Sequence, residues 1–515
     1  MKKYIIQLVV LVSISISISC SNEEFLDKQP PDQLTSENFW RDAEDAKSGL
    51  TAAYSELEAR SNFWDGWQEG RPITEYFRSD YVLPGPDASN YSHWMSIYNF
   101  NYTNGHIFLD VLWTTNYKGI NFSNQVIQNV SEMTEDQIST SEKEQILGEA
   151  YFLRGYYHFK LLSLYENIII RKEMVTPSTL DRPLATRPEA WDFIIQDFKT
   201  AADKLNFEIA SQDFGRANKG AALGYLGKVY MYKAGDPSTS NGEEYQKATA
   251  AFSELIESGQ YELVDDFKSL FNGENENNKE SIFELQFKSA DANSDNATRL
   301  HSFIADWAIG GWGGILADDR LVTEMKEEGQ VAESGLYDKR LYATLYFDDP
   351  YFNDTSAKRM EGSTWDSLIE ETYGDPDDKD DVAFFRKWLP EPVEGNGYIG
   401  LNVTLLRYAD ILLMQAEALN ETGNTEKAVE LINKVRTVHG NMPPINLNSK
   451  DAVFKQIVHE RVMELTLEST RFFDLRRWGM LDEAMTAAGR TGFNVQEHSY
   501  LPIPLSELQT NTEIN

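Results

Sequence analysis

The chain has 515 residues, a length that exceeds one ordinary domain unless a single large helical assembly carries insertions. Apolar residues make up 41% and charged residues 25%, near globular averages, which excludes a chain that is disordered overall. Lys and Arg number 47 against 82 Asp and Glu, and the net charge of −35 argues against nucleic acid and against a polybasic membrane contact.

The first twenty residues read as an address. Lys2 and Lys3 precede the uncharged, mostly apolar run Tyr4–Ser19. As a helix that run reaches about 24 Å, short of the ~30 Å hydrocarbon core, so it predicts a signal peptide over 1–19 and not a spanning helix. Cys20 is the only cysteine and follows the small residue Ser19. A lone cysteine makes neither an internal disulfide nor a cysteine-based zinc site. The arrangement resembles a bacterial lipobox, with Ser17 where an aliphatic residue is usual, and it predicts lipidation at Cys20. Glu23 and Glu24 follow at once and resemble the surface-export signal of lipoproteins in the Bacteroidota. Residues 20–36, with Pro30 and Pro31, then read as a tether, and 37–515 as a single domain.

Helical spacing begins near Phe39 and Trp40 and runs through Ala43, Ala46, Leu50 and Tyr54. Residues 61–108, rich in Gly, Pro, Asn, Trp and Tyr, show no sustained helical period and are expected to form long loops that carry the ligand site. A helix follows over Leu109–Val130. From 141 to 258 the pattern is helical hairpins, in which Leu147-Gly148-x-x-Tyr151 recurs as Leu226-Gly227-x-x-Tyr230. This is a tetratricopeptide-like signature, small residues letting paired helices approach and bulky ones filling the groove. Residues 259–400 read as a mixed α/β insertion, with strand-like runs at Ser281–Phe287 and Leu341–Phe347. It also holds the stretch Trp307-Ala-Ile-Gly-Gly-Trp312-Gly-Gly and the acidic run 375–381. Further hairpins occupy 405–487, and Tyr500-Leu-Pro-Ile-Pro504 reads as an extended strap. The fold class is therefore mostly α: about four tetratricopeptide-like hairpins, long loops and a mixed insertion.

Two stretches suit a sugar, which needs flat aromatic faces and planar polar groups. The first holds Trp64, Trp67, Arg71, Arg78, Asp80, Tyr91, His93, Trp94, Tyr98, Asn99 and Asn101. The second holds Asp306, Trp307 and Trp312. Trp40 and Trp113 lie on helix faces and read as core. Arg471–Trp478, amid Glu460, Glu464, Glu468 and Asp474, reads as buried ion pairing, as does Glu417 with Arg407 and Arg436. Residues 375–381 lack the EF-hand order, since Lys379 stands at the fifth position. No HExxH, GxSxG, Walker loop or strand-linked GxGxxG occurs, so neither a metal, a cofactor nor a catalytic residue is assigned.

Several segments resemble the SusD/RagB family. The strongest is Leu406-Arg407-Tyr408-Ala409-Asp410 through Ala416-Glu417-Ala418-Leu-Asn420-Glu421. It is joined by Ile432-Asn433-Lys-Val435-Arg436, Glu460-Arg461-x-x-Glu464-Leu465, Arg471-Phe-x-Asp474-Leu475-Arg476-Arg477-Trp478 and the 500–504 strap. Phe25-Leu26-Asp27, Phe39-Trp40-x-x-x-Glu44-Asp45-Ala46, Trp113-x-x-x-Tyr117 and Arg154-Gly155-Tyr156-Tyr157-His158-Phe159 extend the likeness, while the tail, Thr510-Asn511-Thr512-Glu513, departs from it. The resemblance implies a non-enzymatic, outward-facing lipoprotein of the outer membrane. Such proteins capture oligosaccharides and pass them to a SusC-type TonB-dependent transporter. The competing readings are a tetratricopeptide interaction protein, a peptide-uptake lid that binds no sugar, and a glycoside hydrolase.

Overall fold

The structure, a computed structural model, describes residues 39–58, 70–239, 242–288, 297–357, 359–360, 363–373, 383–391 and 397–514. The leader, Cys20, the tether, Trp64, Trp67, the Arg71 side chain and the acidic run 375–381 lie outside them.

Local sequence sets the helix starts. Asp42 caps Ala43–Ser55, Ser139 caps Thr140–Leu164, Asn218 caps Lys219–Ala234 and Ser449 caps Lys450–Leu465. Each side chain accepts from a backbone N–H of the first turn that has no helical partner. Thr186 and Glu189 form a reciprocal capping box ahead of Arg187–Lys204.

The helices pack as hairpins. Thr140–Leu164 lies between Ile107–Glu132 and Arg187–Lys204; Lys219–Ala234 pairs with Glu244–Glu257, and Tyr408–Glu421 with Thr425–Val438. The tetratricopeptide-like pattern is thus realised in space. Buried charge pairs stitch the layers: Arg154 forks onto Asp197 at 2.6 and 2.8 Å, and Lys228 meets Asp410 at 3.0 Å. Tyr225 and Phe283 each meet both Phe152 and Tyr156 edge to face within the core. Trp113 is buried, and Trp40 packs on the core from its rim.

The LG-x-x-Y glycines mark close approaches. A Cβ at Gly227 would stand 2.3 Å from Cε1 of Phe252 on the paired helix. Alanine has the better helix propensity by ~1 kcal/mol, but overpacking a core costs about 1–3 kcal/mol. Because Phe252 is fully buried, packing should win. Gly227→Ala is expected to lower stability in urea denaturation; a midpoint at or above that of the parent would mean the helices separate freely.

Three regions differ from expectation. Between residues 70 and 108 the backbone includes the helices Gly70–Tyr76 and Ser92–Tyr98 and the 3-10 turn Pro86–Asn90. Two helical turns are too few for a visible period. In the insertion, Ser281–Leu285 is a strand, paired antiparallel with Val403–Arg407. Of the run 341–347, however, Lys339–Thr344 is helical because Asp338 caps it, and only Leu345–Tyr346 is extended, against Phe384–Phe385. Glu417, Arg407 and Arg436 are all buried, yet they do not pair together: Glu417 takes Arg477, Arg407 takes Glu280, Glu464 and Glu468, and Arg436 takes Glu328 and Glu460. The cluster 471–478 is ion-paired as expected, with Arg471 on Asp80 and Arg477 on Asp474.

Candidate functional site

A short strand pair joins the two aromatic stretches. Val82–Pro84 runs antiparallel to Ile315–Ala317. The ladder continues as Gly85 N–H to Gly314 O at 3.0 Å and Asp87 N–H to Gly313 O at 3.1 Å. Residues 80–101 and 306–314 are thereby fixed side by side, although more than 200 positions separate them.

The second stretch is a rigid loop. Asp306 accepts from Ala308 N–H at 2.9 Å and starts the turn Trp307–Ile309. Gly310 closes it with φ of 90°, a left-handed conformation that favours glycine. Trp312 N–H donates to Ser302 O at 2.7 Å, and Gly313 N–H to Ala305 O at 2.9 Å. This lattice leaves Trp307 50% exposed, a large ring held outward by backbone bonds. Trp312 is half-buried, with the Arg299 guanidinium 5.8 Å from its ring and 3.8 Å from the ring of Tyr398.

From the first stretch, half-buried Tyr91 stacks on Trp94 with centroids 4.3 Å apart and planes at 25°. Trp94 in turn meets Phe303 edge to face at 5.4 Å. Partly open aromatic faces (Tyr91, Trp307, Trp312, Tyr398) therefore decorate one loop assembly, with Arg299 among them. Such faces can stack on a flat apolar ligand surface, and a guanidinium can donate to hydroxyls.

Other expected residues sit elsewhere. Trp94 is only 2% exposed and serves as the platform for Tyr91. Arg78 is buried over Phe472 and donates to the carbonyls of His498 and Ser499. Asp80 is buried in a two-bond pair with Arg471, at 2.8 and 3.0 Å. These three have no face left for a ligand, so their part is support. Tyr98 is half-buried under the Arg490 guanidinium at 3.7 Å; Asn99 and Asn101 are exposed, and the His106 ring lies 2.9 Å from His93 O.

Two family models match the chain. One, described as the SusD family, covers residues 279–515; the other, described as starch-binding associating with outer membrane, covers 24–231. The chain belongs to the SusD/RagB family. A SusD-like protein of Formosa agariphila is 25% identical over 512 residues, spanning 94% of each chain. A SusD superfamily protein from Bacteroides vulgatus is 26% identical, with a TM-score of 0.79 over 93% of this chain and 99% of that one. A protein described as a laminarin-binding SusD-like protein shares the fold, at 24% identity and a TM-score of 0.71 over 92% and 99% of the two chains.

Within this SusD-family chain, three residues of the loop assembly escaped the sequence reading. Tyr398 stands in Gly395-Asn396-Gly397-Tyr398, the same Gly- and Asn-flanked setting that singled out the other aromatics, so its signal was present. Arg299 and Arg490 carried none. Arg490 is buried and donates to the carbonyls of Phe77, Ser79 and Tyr98, which ties the first stretch from beneath. Burial pushes its guanidinium down to about 10, as expected for a charge satisfied by carbonyls and not by a carboxylate. Two acidic-histidine sets, Glu280–His439–Glu464 and Glu324–Glu327–His459, come within metal-ligand reach of one another. Ion pairing accounts for both. Arg407 bonds Glu280 and Glu464, Arg340 also bonds Glu464, and His459 meets Glu324 at 2.9 Å.

Proposed function

We propose that the chain is a glycan-capture lipoprotein of the outer membrane, tethered through lipid on Cys20 and facing the cell exterior. It holds oligosaccharide on the Tyr91–Trp307–Trp312–Tyr398 face and releases it to a SusC-type TonB-dependent transporter. The observation that carries the reading is Trp307, a half-exposed indole fixed by the 306–314 backbone lattice in a chain whose family includes a protein described as laminarin-binding. Membrane attachment draws on the family description as associating with outer membrane. Among the described residues no helix is long and apolar enough to cross a membrane. Binding without turnover suits the loop chemistry. Asp306, the carboxylate of the second stretch, is fully buried and occupied in capping the 307–309 turn, so it is not placed as a general acid.

Open stacking leaves much of a ligand wet, and the expected affinity is micromolar to millimolar, ~4–8 kcal/mol. Titration calorimetry against plant, algal and microbial glycans tests the reading. Trp307→Ala should weaken binding tenfold or more, about 1.4 kcal/mol, with the melting temperature unchanged because the ring lies outside the core. Absence of binding to every glycan, or equal binding by the variant, removes the reading.

A further inference from the structure

A second groove lies where the segment after the helix Arg187–Lys204 meets the strand Ser281–Leu285, and it shares no lining residue with the loops just described. It holds about 400 Å³ and is lined by Phe207, Glu208, Phe214, Gln260, Asn277 and Asn278, among others. That volume is towards the lower end of what small-molecule sites occupy, room for a short segment of a sugar chain.

Its walls have the chemistry of a saccharide site. Phe214 is 50% exposed and belongs to no core cluster. It is presented by a tied turn: Asp213 N–H donates to Ala210 O at 2.8 Å, and Arg216 N–H to Asp213 O at 3.0 Å. Gly215 behind it has φ of +88°, and a Cβ there would stand 2.3 Å from Cγ of Gln286, so a side chain at this position would strain the turn. Across the groove, the Asn277 amide is oriented by donating to Gln286 Oε1 at 2.9 Å, and Asn278 is locked by its bonds to Glu280 and Ser281 N–H. The exposed side chains of Gln260 and Glu208 make no hydrogen bond among the described residues. Amides offer donor and acceptor side by side, matching the hydroxyls of a sugar, and a flat ring matches its C–H face. Glu208 and Arg216 both line the groove, and the chain carries a net charge of −35, so a polyanionic ligand is disfavoured.

We infer that this groove is a second contact site for a neutral glycan, engaging a further segment of a polymer already held at the loop aromatics. The inference rests on the glycan-capture reading. Two weak contacts on one polymer act together through effective concentration, so the second groove strengthens retention of long chains and leaves short ones unaffected.

Affinity electrophoresis in gels containing laminarin, starch or other plant and microbial polysaccharides tests it, beside calorimetry with a short oligosaccharide of the retarding polymer. The variants are Phe214→Ala with Gln260→Ala, and Trp307→Ala. The groove variant is expected to weaken polymer retention by about threefold or more while binding the short oligosaccharide like the parent, at an unchanged melting temperature. Retention equal to the parent, while Trp307→Ala loses it, overturns the second groove and leaves the capture reading standing. Failure of every polymer to retard the parent protein defeats both.

Discussion

Replacing Arg407 with methionine is expected to destabilise the protein by about 3–5 kcal/mol, the cost of breaking a buried ion network by removing one partner. Arg407 is 2% exposed, and its guanidinium is saturated. Nε donates to Glu468 at 2.7 Å, Nη1 to Glu280 at 2.9 Å and also to Glu464, and Nη2 to Glu468 and to the Glu464 carbonyl, both at 2.7 Å. Methionine keeps much of the volume, so little of the loss is cavity. What remains is three carboxylates, of which Glu280 and Glu464 are fully buried, with one cation fewer. The contrast is Arg41, which makes an equally good pair with Asp45 at 2.8 Å but stands in solvent. Arg41→Met should change stability by less than ~1 kcal/mol. Chemical denaturation of the two variants decides the matter. If Arg407→Met cost under 1 kcal/mol, the network would be no more than a balanced substitute for apolar packing. The effect should reach the fold at a distance, because Arg407 ends the strand paired with Ser281–Leu285 and bonds the last turn of Lys450–Leu465.

Such networks explain what the sequence could and could not reveal. The hairpins were legible because a long helix repeats its apolar stripe several times, and because Gly148 and Gly227 recur in the same context. The burial of Arg471–Trp478 was legible because so many opposite charges cannot all be solvated apart. The partners were not: Glu417 lies ten residues from Arg407 in sequence but pairs with Arg477, sixty residues away, since tertiary packing and not spacing chooses the mate. The candidate site divides along the same line. Trp307 and Trp312 were visible as aromatics among glycines. Trp94 stands among other aromatics and asparagines but sits in a seven-residue helix whose buried face shows no period. Asp80 and Arg78 read as polar groups available to a sugar, because the arginine and carbonyls that satisfy them, Arg471, His498 and Ser499, come from the far end of the chain.

The same network should give the protein a pH-dependent stability that falls above neutrality. His439 is fully buried, with Nδ1 2.8 Å from Glu464 and Nε2 3.1 Å from Glu280; Arg407 bonds both carboxylates, Arg340 bonds Glu464, and Phe267 covers the ring at 5.1 Å. Burial opposes the imidazolium, but Glu464 and Glu280 outweigh it and push His439 up to about 9. A histidine whose pKa is raised by folding contributes stability that is complete below its unfolded value of ~6.5 and is lost as pH rises towards the folded one. The difference corresponds to on the order of 3 kcal/mol at most. Lys387, lowered by burial to about 8, works in the opposite sense above that pH, so the parent profile alone is ambiguous there. Comparison with His439→Gln removes the ambiguity, because Lys387 is common to both proteins. The stability gap between parent and variant should be greatest near pH 6 and narrow steadily towards pH 9. A gap independent of pH would mean that His439 is neutral in the folded protein. On the acid side, burial by itself would raise the Glu464 carboxyl, yet His439, Arg407 and Arg340 hold it well below the usual carboxylate range. That contribution is present above ~4.5 and is lost as pH falls through the depressed value. The network therefore favours the folded state most between these limits, where the histidine and the carboxylates are charged together.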